Sequence, residues 1–524
     1  MTASLHIPVT RGSPPKDLEI RPKQVKAWLE SLPLAHSIIA GRQMREHLVA
    51  LNAVKIDVDD RLQILQNYRP VAQTVFDELD SLYSRGATPL PPRALEALQL
   101  ARELAAALAD GYRIVIGEKT GKLLAFGAKK HLPLLLHRVL EHVALILIAS
   151  YKSYTPVPDG TWKALHEVYL YSDSEGVLGE AADAAAKATI HDLYAETLLI
   201  ALTDPYRLVP GEIDRIVAQV RAAKVSVTLS KSRPATPPSA HFLVPCDTDK
   251  PPKPALSASE ERGGPNWRLL DANALVEKLR TRKKAFESGN VSAAAARAMG
   301  PEGVPLMERL IVLWGDPPKR TNRRDPMETS VAICIGLKAV GYYVSHEHRV
   351  DPDEADLIRR GITIPLISVP RDETSKAFPV NEWDVVNQSA GGLKVRRSTP
   401  AVQPVGVGEV VGVKLMGRAR WTIGVVRWLT LLEDGGIEFG IQFLASAARI
   451  VSIQPTIAAL SAQAKQALIL DEAGETGAAL LTSPNTFSDL REFEVQDEGA
   501  VSCVRATSLV ERTGRFELFE FTPS

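Results

Sequence analysis

The hydrophobic pattern of the chain changes near Pro318, and this change restricts the possible folds more than any other feature. From about Arg21 to Ala223, apolar residues recur three and four positions apart with charges between them, as in RALEALQLARELAAALADGY, which is the spacing of one helix face. After Pro318 the apolar residues form short runs separated by Gly, Pro, Asn and Asp, which is typical of strands. The sequence therefore predicts a multidomain α + β protein with an all-α N-terminal half.

The chain has 524 residues, too many for one ordinary core, because domains commonly contain about 100 to 200 residues. One stretch, SKSRPATPPSAHFLVPCDTDKPPKPALSASEERGGP, is dense in proline and serine and is typical of a linker. Two helical stretches, NWRLLDANALVEKLRTRKKAFESG and VPLMERLIVLWG, follow it. We expect an all-α domain at 20–228, a linker at 229–265, a helical connector at 266–317, a β-barrel at 318–450 and a C-terminal α/β extension at 451–524.

The barrel is predicted from apolar runs that follow one another after Pro318. These runs are SVAICIGLKAVGYYVS, EWDVV, GLKVRR, EVVGVKLM, WTIGVVRWLTLL and GIEFGIQFLA. Short strands at this spacing are typical of a small antiparallel barrel. Beyond them, TIAALSAQAKQALIL favours a helix, and REFEV and RFELFEF favour strands. This β-rich C-terminal extension either enlarges the barrel or forms a small module of its own.

Charge and cysteine content narrow the functional classes. Formal charge is balanced, with 62 Lys and Arg against 62 Asp and Glu. The net charge therefore does not favour a nucleic acid or an acidic membrane as partner, and any anion site has to be local. The three cysteines are far apart, which predicts neither a disulfide framework nor a zinc cluster. We expect them to be buried thiols in a reducing compartment.

The sequence carries no signal for a membrane or for export. Its start, MTASLHIPVTRGSPPKDLEI, lacks the apolar stretch of a signal peptide. The segment LPLLLHRVLEHVALILIAS is apolar but is interrupted by His137, Arg138, Glu141 and His142. These features predict a soluble, cytoplasmic protein with no membrane span, no nucleic-acid partner, and no metal or other cofactor.

A turn within residues 385–397, VVNQSAGGLKVRR, carries three residues suited to holding a flat polar ligand. Asn387 and Ser389 have short hydrogen-bonding side chains, and Gly392 leaves the backbone open to close approach. Residues of these types also occur in hairpin turns for reasons of shape alone. The turn therefore becomes a functional candidate only in combination with a second element.

That second element is PPKRTNRRDP, just before the first predicted strand. Arg320 and Arg324 form an Arg-x-x-x-Arg motif there, with Arg323 beside them. A guanidinium can bind phosphate oxygens in a fork, hydrogen-bond a guanine edge and stack on a base. By itself the stretch is equally a solvated basic run at a domain junction. Combined with the turn, it predicts a two-sided clamp for a nucleotide.

The Arg-x-x-x-Arg leader, the Asn-x-Ser-x-x-Gly turn and the strands ending in GVVRWL and FGIQFL resemble the PilZ family. Members of this family are six-stranded antiparallel barrels and are commonly receptors for cyclic di-GMP. The resemblance covers the chain from about Pro318 to Ala447. It implies a PilZ-like six-stranded barrel, a bacterial setting and cyclic di-GMP as the ligand.

The resemblance also implies the residues that bind the ligand, which are Arg320, Arg323, Arg324, Asn387, Ser389 and Gly392. The first and third arginines would contact the phosphates and guanine faces, with the second as a helper. The asparagine and serine would meet a guanine edge and a phosphate from the barrel side. The glycine would let the turn lie close to the base.

The spacing of the two motifs departs from the family pattern, because typical members have them about half as far apart. Here a charged stretch at about 343–380, flanked by prolines, comes between the first strand and the turn. We expect it to leave the barrel as a surface excursion that keeps the strand register intact. If it crosses the site instead, it gates or blocks the nucleotide.

These observations lead to hypotheses of different classes. The first is a non-enzymatic signalling effector whose barrel binds cyclic di-GMP and whose helical region transmits the change to an unidentified protein partner. Its outputs would be motility, adhesion, biofilm matrix or virulence. The second is an adaptor or structural protein whose barrel binds no nucleotide. The third, an enzyme within the helical half, requires a deep pocket with titratable groups of perturbed pKa.

Overall fold

The structure is a computed structural model that describes residues 4–524 with the exception of 86–87, 121–127, 183–187, 224–225, 232–238, 256–265, 295–296, 298–302, 318–324, 348–374, 399–402, 416–419, 458–462 and 475–476. The chain divides into two compact units. The first unit comprises Met1–Gly86 and Leu90–Lys319, and the second unit comprises Ala87–Pro89 and Arg320–Ser524.

Within the described part of the first unit, eight α-helices precede residue 223, as the apolar spacing predicts. They are α1 (Pro22–Glu30), α2 (Ser37–Ala53), α3 (Val58–Tyr83), α4 (Pro92–Thr120), α5 (Ala128–Lys152), α6 (Thr161–Ser174), α7 (Ile190–Ala201) and α8 (Glu212–Ala222). Side chains cap two of them: Asp57 accepts backbone N–H bonds at the start of α3, and Thr189 does so at the start of α7.

Helix α4 is the centre of this bundle and packs against α2, α3 and α5. A Cβ added to Gly111 would lie 2.8 Å from Leu65 Cδ2, so the glycine permits a close approach of α3. The buried positions of α4 are rich in alanine, whose small side chain lets neighbouring helices come close. These alanines are Ala94, Ala97, Ala101, Ala105, Ala107 and Ala109.

Helix α5 contains the apolar segment noted in the sequence. Its part His131–Lys152 is long and apolar enough to cross a membrane, but 72% of the most apolar window is buried inside the protein. The helix packs against α4, α6 and α7. We therefore assign α5 as a core helix of a soluble bundle.

A small antiparallel sheet lies where a linker was predicted. Its strands are β1 (Thr228–Ser230), β2 (His241–Pro245), β3 (Lys253–Pro254) and β4 (Trp267–Asp271), in the order β1-β4-β2-β3. The linker prediction for 229–265 is wrong where β2 and β3 lie, and the connector begins with a strand. The apolar island FLVPC is short, but its residues Phe242, Leu243 and Val244 are all buried. The strand is therefore packed on both faces and lacks the alternation of apolar and polar residues that would have identified it.

This sheet belongs to the first unit. Arg268 of β4 donates to Asp173 of α6 over 2.8 Å, so the sheet is attached to the helical bundle. Helices α9 (Asn273–Glu287) and α10 (Gly303–Gly315) follow. The Trp314 indole in α10 donates to the Leu199 carbonyl at 3.1 Å. The first unit thus extends to the start of the barrel region.

The described residues of the second unit include the predicted barrel. Trp383 and Phe439 meet edge to face inside it, with ring centroids 4.7 Å apart. The closed pairing of six antiparallel strands confirms the predicted small barrel. Its strands are β5 (Asp325–Ile335), β6 (Val380–Ser389), β7 (Gly392–Arg397), β8 (Val410–Lys414), β9 (Thr422–Leu431) and β10 (Ile437–Ala445), closed in the order β10-β7-β6-β5-β8-β9.

Strands β5 and β6 are neighbours although the chain leaves the barrel between them. Helix α11 (Leu337–Ser345) follows β5, so the second half of SVAICIGLKAVGYYVS is helical and its prediction as strand is wrong. Gly336 makes this change of direction with φ of +97°. The antiparallel pairing of β5 with β6 keeps the barrel register intact around the insertion. Residues 348–374 of the insertion lie outside the described part of the chain.

The C-terminal residues form a second closed barrel, which decides between the two alternatives left by the sequence: they are a module of their own. Lys465–Gly474 is a strand, so the helix predicted from TIAALSAQAKQALIL is wrong there. The strands are β11 (Arg449–Pro455), β12 (Lys465–Gly474), β13 (Gly477–Thr482), β14 (Glu492–Asp497), β15 (Ala500–Arg512) and β16 (Glu517–Pro523), in the order β11-β12-β13-β16-β15-β14.

Strand β12 is buried on both faces, which explains the wrong helix prediction. Ala467 and Ile469 pack inside the second barrel. Leu468 and Leu470 pack on the other side, in a cluster with α11 and the first barrel. A run that is apolar at every position lacks the alternation that identifies a strand. The cluster joins the two barrels through a common core, to which α11 and the first barrel contribute Val340, Tyr343, Trp421, Ile423 and Val425.

Candidate functional site

The motif turn is the hairpin between β6 and β7. Ala390 and Gly391 form its two-residue turn, and Ser389 is paired with Gly392 across it. The Ser389 hydroxyl lies 3.4 Å from the Gly392 carbonyl oxygen. The backbone N–H of Phe443 donates to the Gly391 carbonyl at 2.9 Å. The turn is therefore attached to β10 and presents its polar residues from a rigid support.

Gly392 has a packing role in this structure. A Cβ at this position would lie 2.0 Å from the Ile441 carbonyl oxygen and 3.2 Å from Gln442 Cα. The backbone of β10 thus occupies the space that a side chain would need. The glycine was predicted from the sequence to let the turn lie close to a base, and that role stays a prediction.

Asn387 lies at an irregularity of the sheet. Pairing shifts register between Val385 and Asn387 on the β7 side, and between Pro326 and Thr329 on the β5 side. Such bulges re-aim side chains, often next to binding sites. Asn387 is partly exposed, and its side chain makes no hydrogen bond to the residues that the structure describes. Its amide is therefore available to a ligand.

The outer face next to Asn387 carries a cation and an aromatic ring that the sequence analysis did not identify. Asn387 is paired with Lys394, Lys394 with Gly440, and Gly440 with Trp428. Directly paired residues share a face. The indole covers Gly440, where a Cβ would lie 2.0 Å from Trp428 Nε1. Lys394 Nζ is 5.8 Å from the ring centroid and 2.8 Å from Glu438. We call Asn387, Ser389, Lys394 and Trp428 the barrel-face site.

After the arginine leader, the described part of the chain resumes with Asp325 of β5. Arg320, Arg323 and Arg324 lie outside the described residues. Asp325, which follows the last of them, is the first residue of β5 and pairs with Gln388, between Asn387 and Ser389. Consecutive Cα atoms are about 3.8 Å apart. Strand pairing thus places the residue that follows the arginine motif next to the turn; the position of the arginines themselves stays a prediction.

Arg427 connects the barrel-face site to the second barrel. Its Nε donates to Gln442 Oε1 at 2.7 Å, and Gln442 is paired with Gly392. Its two Nη groups bind the carboxylate of Glu511 in β15, one of them over 2.8 Å. This bidentate ion pair ties β9, the strand that carries Trp428, to the neighbouring barrel.

Among the described residues, no group of three or more His, Cys, Asp or Glu side chains is placed so that it could hold a metal ion. The Nδ1–H of His346 donates locally to the Tyr342 carbonyl at 2.7 Å. The arrangement on the barrel face is instead one of hydrogen-bonding groups, a cation and a ring, which suits a planar, polar, anionic ligand.

A closed six-stranded antiparallel barrel that carries an Asn-x-Ser-x-x-Gly turn, and whose first strand follows an Arg-x-x-x-Arg motif in the sequence, defines a PilZ domain. Two family descriptions match the chain: "Cyclic-di-GMP receptor FimW, N-terminal domain" over residues 23–234, and "Cyclic-di-GMP receptor FimW, middle PilZ domain" over residues 241–352 and 367–449. The chain belongs to this PilZ-domain family of cyclic di-GMP receptors and has its large helical N-terminal region.

A curated relative supports the same assignment. The chain is 24% identical over 514 residues to the cyclic-di-GMP receptor FimW of Pseudomonas aeruginosa, and the match covers 86% of this chain and 81% of that protein. The similarity therefore includes the helical region as well as the barrel. No solved structure matches the chain.

Proposed function

We propose that this protein is a cyclic di-GMP-binding signalling effector whose ligand lies on the barrel-face site. The observation that carries the proposal is the pairing of Asp325 with Gln388. Asp325 directly follows Arg324 in the sequence, and Gln388 lies between Asn387 and Ser389, so this pairing supports the proposal that the leader and the turn act together on one ligand. The description of the family and the name of the FimW relative agree with this ligand.

The chemistry of the ligand matches the groups available. Cyclic di-GMP has two phosphates and two guanine rings. Arg320 and Arg324, with Arg323 as helper, supply charge for the phosphates and flat guanidinium faces for the bases. The asparagine amide and serine hydroxyl supply directional hydrogen bonds, and the indole beside Lys394 supplies a surface for stacking. A change in the position of the leader on binding would be a means of signalling.

The helical region would transmit the signal to a protein partner in the cytoplasm, with motility or biofilm formation as the output. A cavity in the helical unit, beside Tyr154 and Asp214, has a volume of about 10 Å³, which is room for one water molecule. This cavity is too small for a substrate, so it gives no support to the enzyme hypothesis.

Calorimetry with the full-length protein tests the ligand. We expect cyclic di-GMP to bind with a Kd in the micromolar range or tighter, about −8 kcal/mol, and GTP and cyclic di-AMP to bind far more weakly. Asn387→Ala and Ser389→Ala should weaken binding. Ser330→Ala is a matched control, because Ser330 is a strand serine of the same barrel whose hydroxyl contacts Glu382. Absence of binding to the parent protein would favour the adaptor hypothesis.

A second measurement addresses coupling separately from binding. Hydrogen exchange of the full-length protein is compared with and without cyclic di-GMP. We expect changed protection in helices α1 to α8 as well as at the barrel-face site. Changes in protection that are confined to the barrel would reject transmission through the helical region. They would not contradict the binding of cyclic di-GMP to the barrel.

A further inference from the structure

A pocket of about 520 Å³ lies at the junction of the two barrels, along helix α11. It is separate from the barrel-face site and shares no described lining residue with it. Its volume is within the range of about 300 to 1,000 Å³ that is usual for small-molecule sites. Its described lining residues are Leu337, Lys338, Tyr342, Ser345, Phe378, Lys465, Gln466 and Ser483.

Among the described residues, the charges that line this pocket are positive. Lys338 and Lys465 both line it and are exposed, and neither forms an ion pair with a residue that the structure describes. The other described lysines of this unit differ: Lys394 pairs with Glu438, Lys414 lies over the Trp421 ring, and Lys376 also has an interaction. No described lining residue is acidic. The pocket therefore favours an anion.

The helix start adds to this preference. Leu337 and Lys338 are the first two residues of α11, and no side chain caps this end of the helix. The free N–H groups and the dipole of a helix N-terminus favour negative charge. Glu409 Oε1 lies 3.8 Å from the position of a Cβ on Gly336, and this carboxylate is itself paired with Arg515. The uncapped end and the two lysines otherwise act in the same direction on one cavity.

The remaining lining is aromatic and held in place. The rings of Tyr342 and Phe378 have centroids 5.4 Å apart. The Tyr343 hydroxyl donates to the Phe378 carbonyl at 2.6 Å and positions this residue. Gln466 packs against Gly341, where a Cβ would lie 3.1 Å from its side-chain amide. Ring faces of this kind stack with planar ligands.

We propose that this pocket is a second binding site, which takes a small anionic ligand with a planar ring, of about the size of a mononucleotide. The anionic group lies at the lysines and the start of α11, and the ring packs against Tyr342 and Phe378. Because α11 also contributes to the core that joins the barrels, the ligand contacts the junction of the two modules.

Calorimetric titration of the full-length protein tests this proposal, with guanosine 5′-monophosphate and salicylate as probes that combine a ring with a phosphate or a carboxylate. Guanosine and inorganic phosphate serve as half-probes. We expect guanosine 5′-monophosphate or salicylate to bind. Guanosine alone and inorganic phosphate alone should each bind at least tenfold more weakly than that probe. In the double variant Lys338→Met/Lys465→Met the affinity should fall at least tenfold.

Three comparisons separate this site from alternatives. Lys23→Met is the matched control, since Lys23 in α1 is also exposed and unpaired among the described residues, and it should bind like the parent. Asn387→Ala/Ser389→Ala should also retain the probe, which distinguishes the pocket from the barrel-face site. Phe378→Leu should weaken the ring-bearing probes but not phosphate. Equal affinity in the double lysine variant, or no binding of either ring-bearing anion at millimolar concentration, would overturn the proposal.

Discussion

The Ile441 carbonyl oxygen lies 2.0 Å from the position that a Cβ of Gly392 would occupy. Strand β10 therefore closes directly over the last residue of the Asn-x-Ser-x-x-Gly motif. The same strand holds the turn through the bond from Phe443 to Gly391. The motif glycine is thus required by the barrel itself, whatever the ligand does.

Gly392→Ala should destabilise the second unit by about 3 kcal/mol, because the methyl group meets backbone that has to move. Thermal unfolding of the full-length protein measures this loss. Gly406→Ala is the control, since no atom lies within 4 Å of a Cβ there, and it should change stability by less than about 1 kcal/mol. Equal stability of both variants would contradict the close approach of β10.

The arginine leader is expected to carry much of the affinity for cyclic di-GMP. Arg320→Ala or Arg324→Ala should weaken binding by about 1.5 to 3 kcal/mol, as for charge-assisted bonds to phosphate. Replacement by lysine should restore binding only in part, because lysine cannot bind in a fork or stack equally well. Calorimetry measures both effects. Unchanged affinity in both alanine variants would show that the leader is not part of the site.

The ion pair between Arg427 and Glu511 should contribute to the joining of the two barrels. Their side chains are 24% and 23% exposed, so we expect a coupling free energy of about 1 kcal/mol from a double-mutant cycle with Arg427→Met and Glu511→Gln. The Arg505 and Glu492 pair, 50% and 35% exposed, is the control and should couple more weakly. A coupling no larger than that of the control pair would reject this role.

The helical bundle should lose stability in mild acid. Burial lowers the pKa of His142, and its Nδ1–H donates to the Arg138 carbonyl. The unfolded chain then binds a proton near pH 6.5 that the folded chain excludes. The stabilisation is complete above that pH and is lost as the pH falls through the lower, folded pKa. Burial lowers the pKa of His166 in the same way.

Urea unfolding followed by helical circular dichroism at pH 7.5 and 5.5 measures this loss. His142→Phe, placed beside Phe76 and Tyr112, should show a smaller decrease between the two pH values than the parent protein. An equal decrease in both proteins would assign the acid sensitivity to other groups.

The three thiols should react at very different rates. Burial raises the pKa of Cys334 to about 12 and that of Cys246 to about 11, whereas Cys503 is exposed, contrary to the expectation of three buried thiols. Ellman's reagent at pH 8 should therefore label one thiol in the native protein and the other two after denaturation. Cys503→Ser should abolish the native reaction. Rapid labelling of that variant would contradict the burial of the other two.

Local pattern was sufficient for many elements. The helices of the first unit and strands β6 to β10 follow from the spacing of apolar residues and from the Gly, Pro, Asn and Asp residues that separate the runs. The pattern failed where burial is two-sided. Strand β12 reads as a helix because Leu468 and Ile469 are both apolar but face different cores, and β2 was hidden in a proline-rich stretch for the same reason.

The sequence by itself determined the division into a helical half and a β half, the PilZ resemblance, and Asn387, Ser389 and the arginines as candidate residues. Tertiary structure decided that the C-terminal residues close into their own barrel. It also placed Lys394 beside Asn387, placed Trp428 over Gly440 on the same face, and formed the pocket along α11. These are matters of strand pairing and packing between distant segments, and the spacing of residues along the chain carries no record of which strands become neighbours.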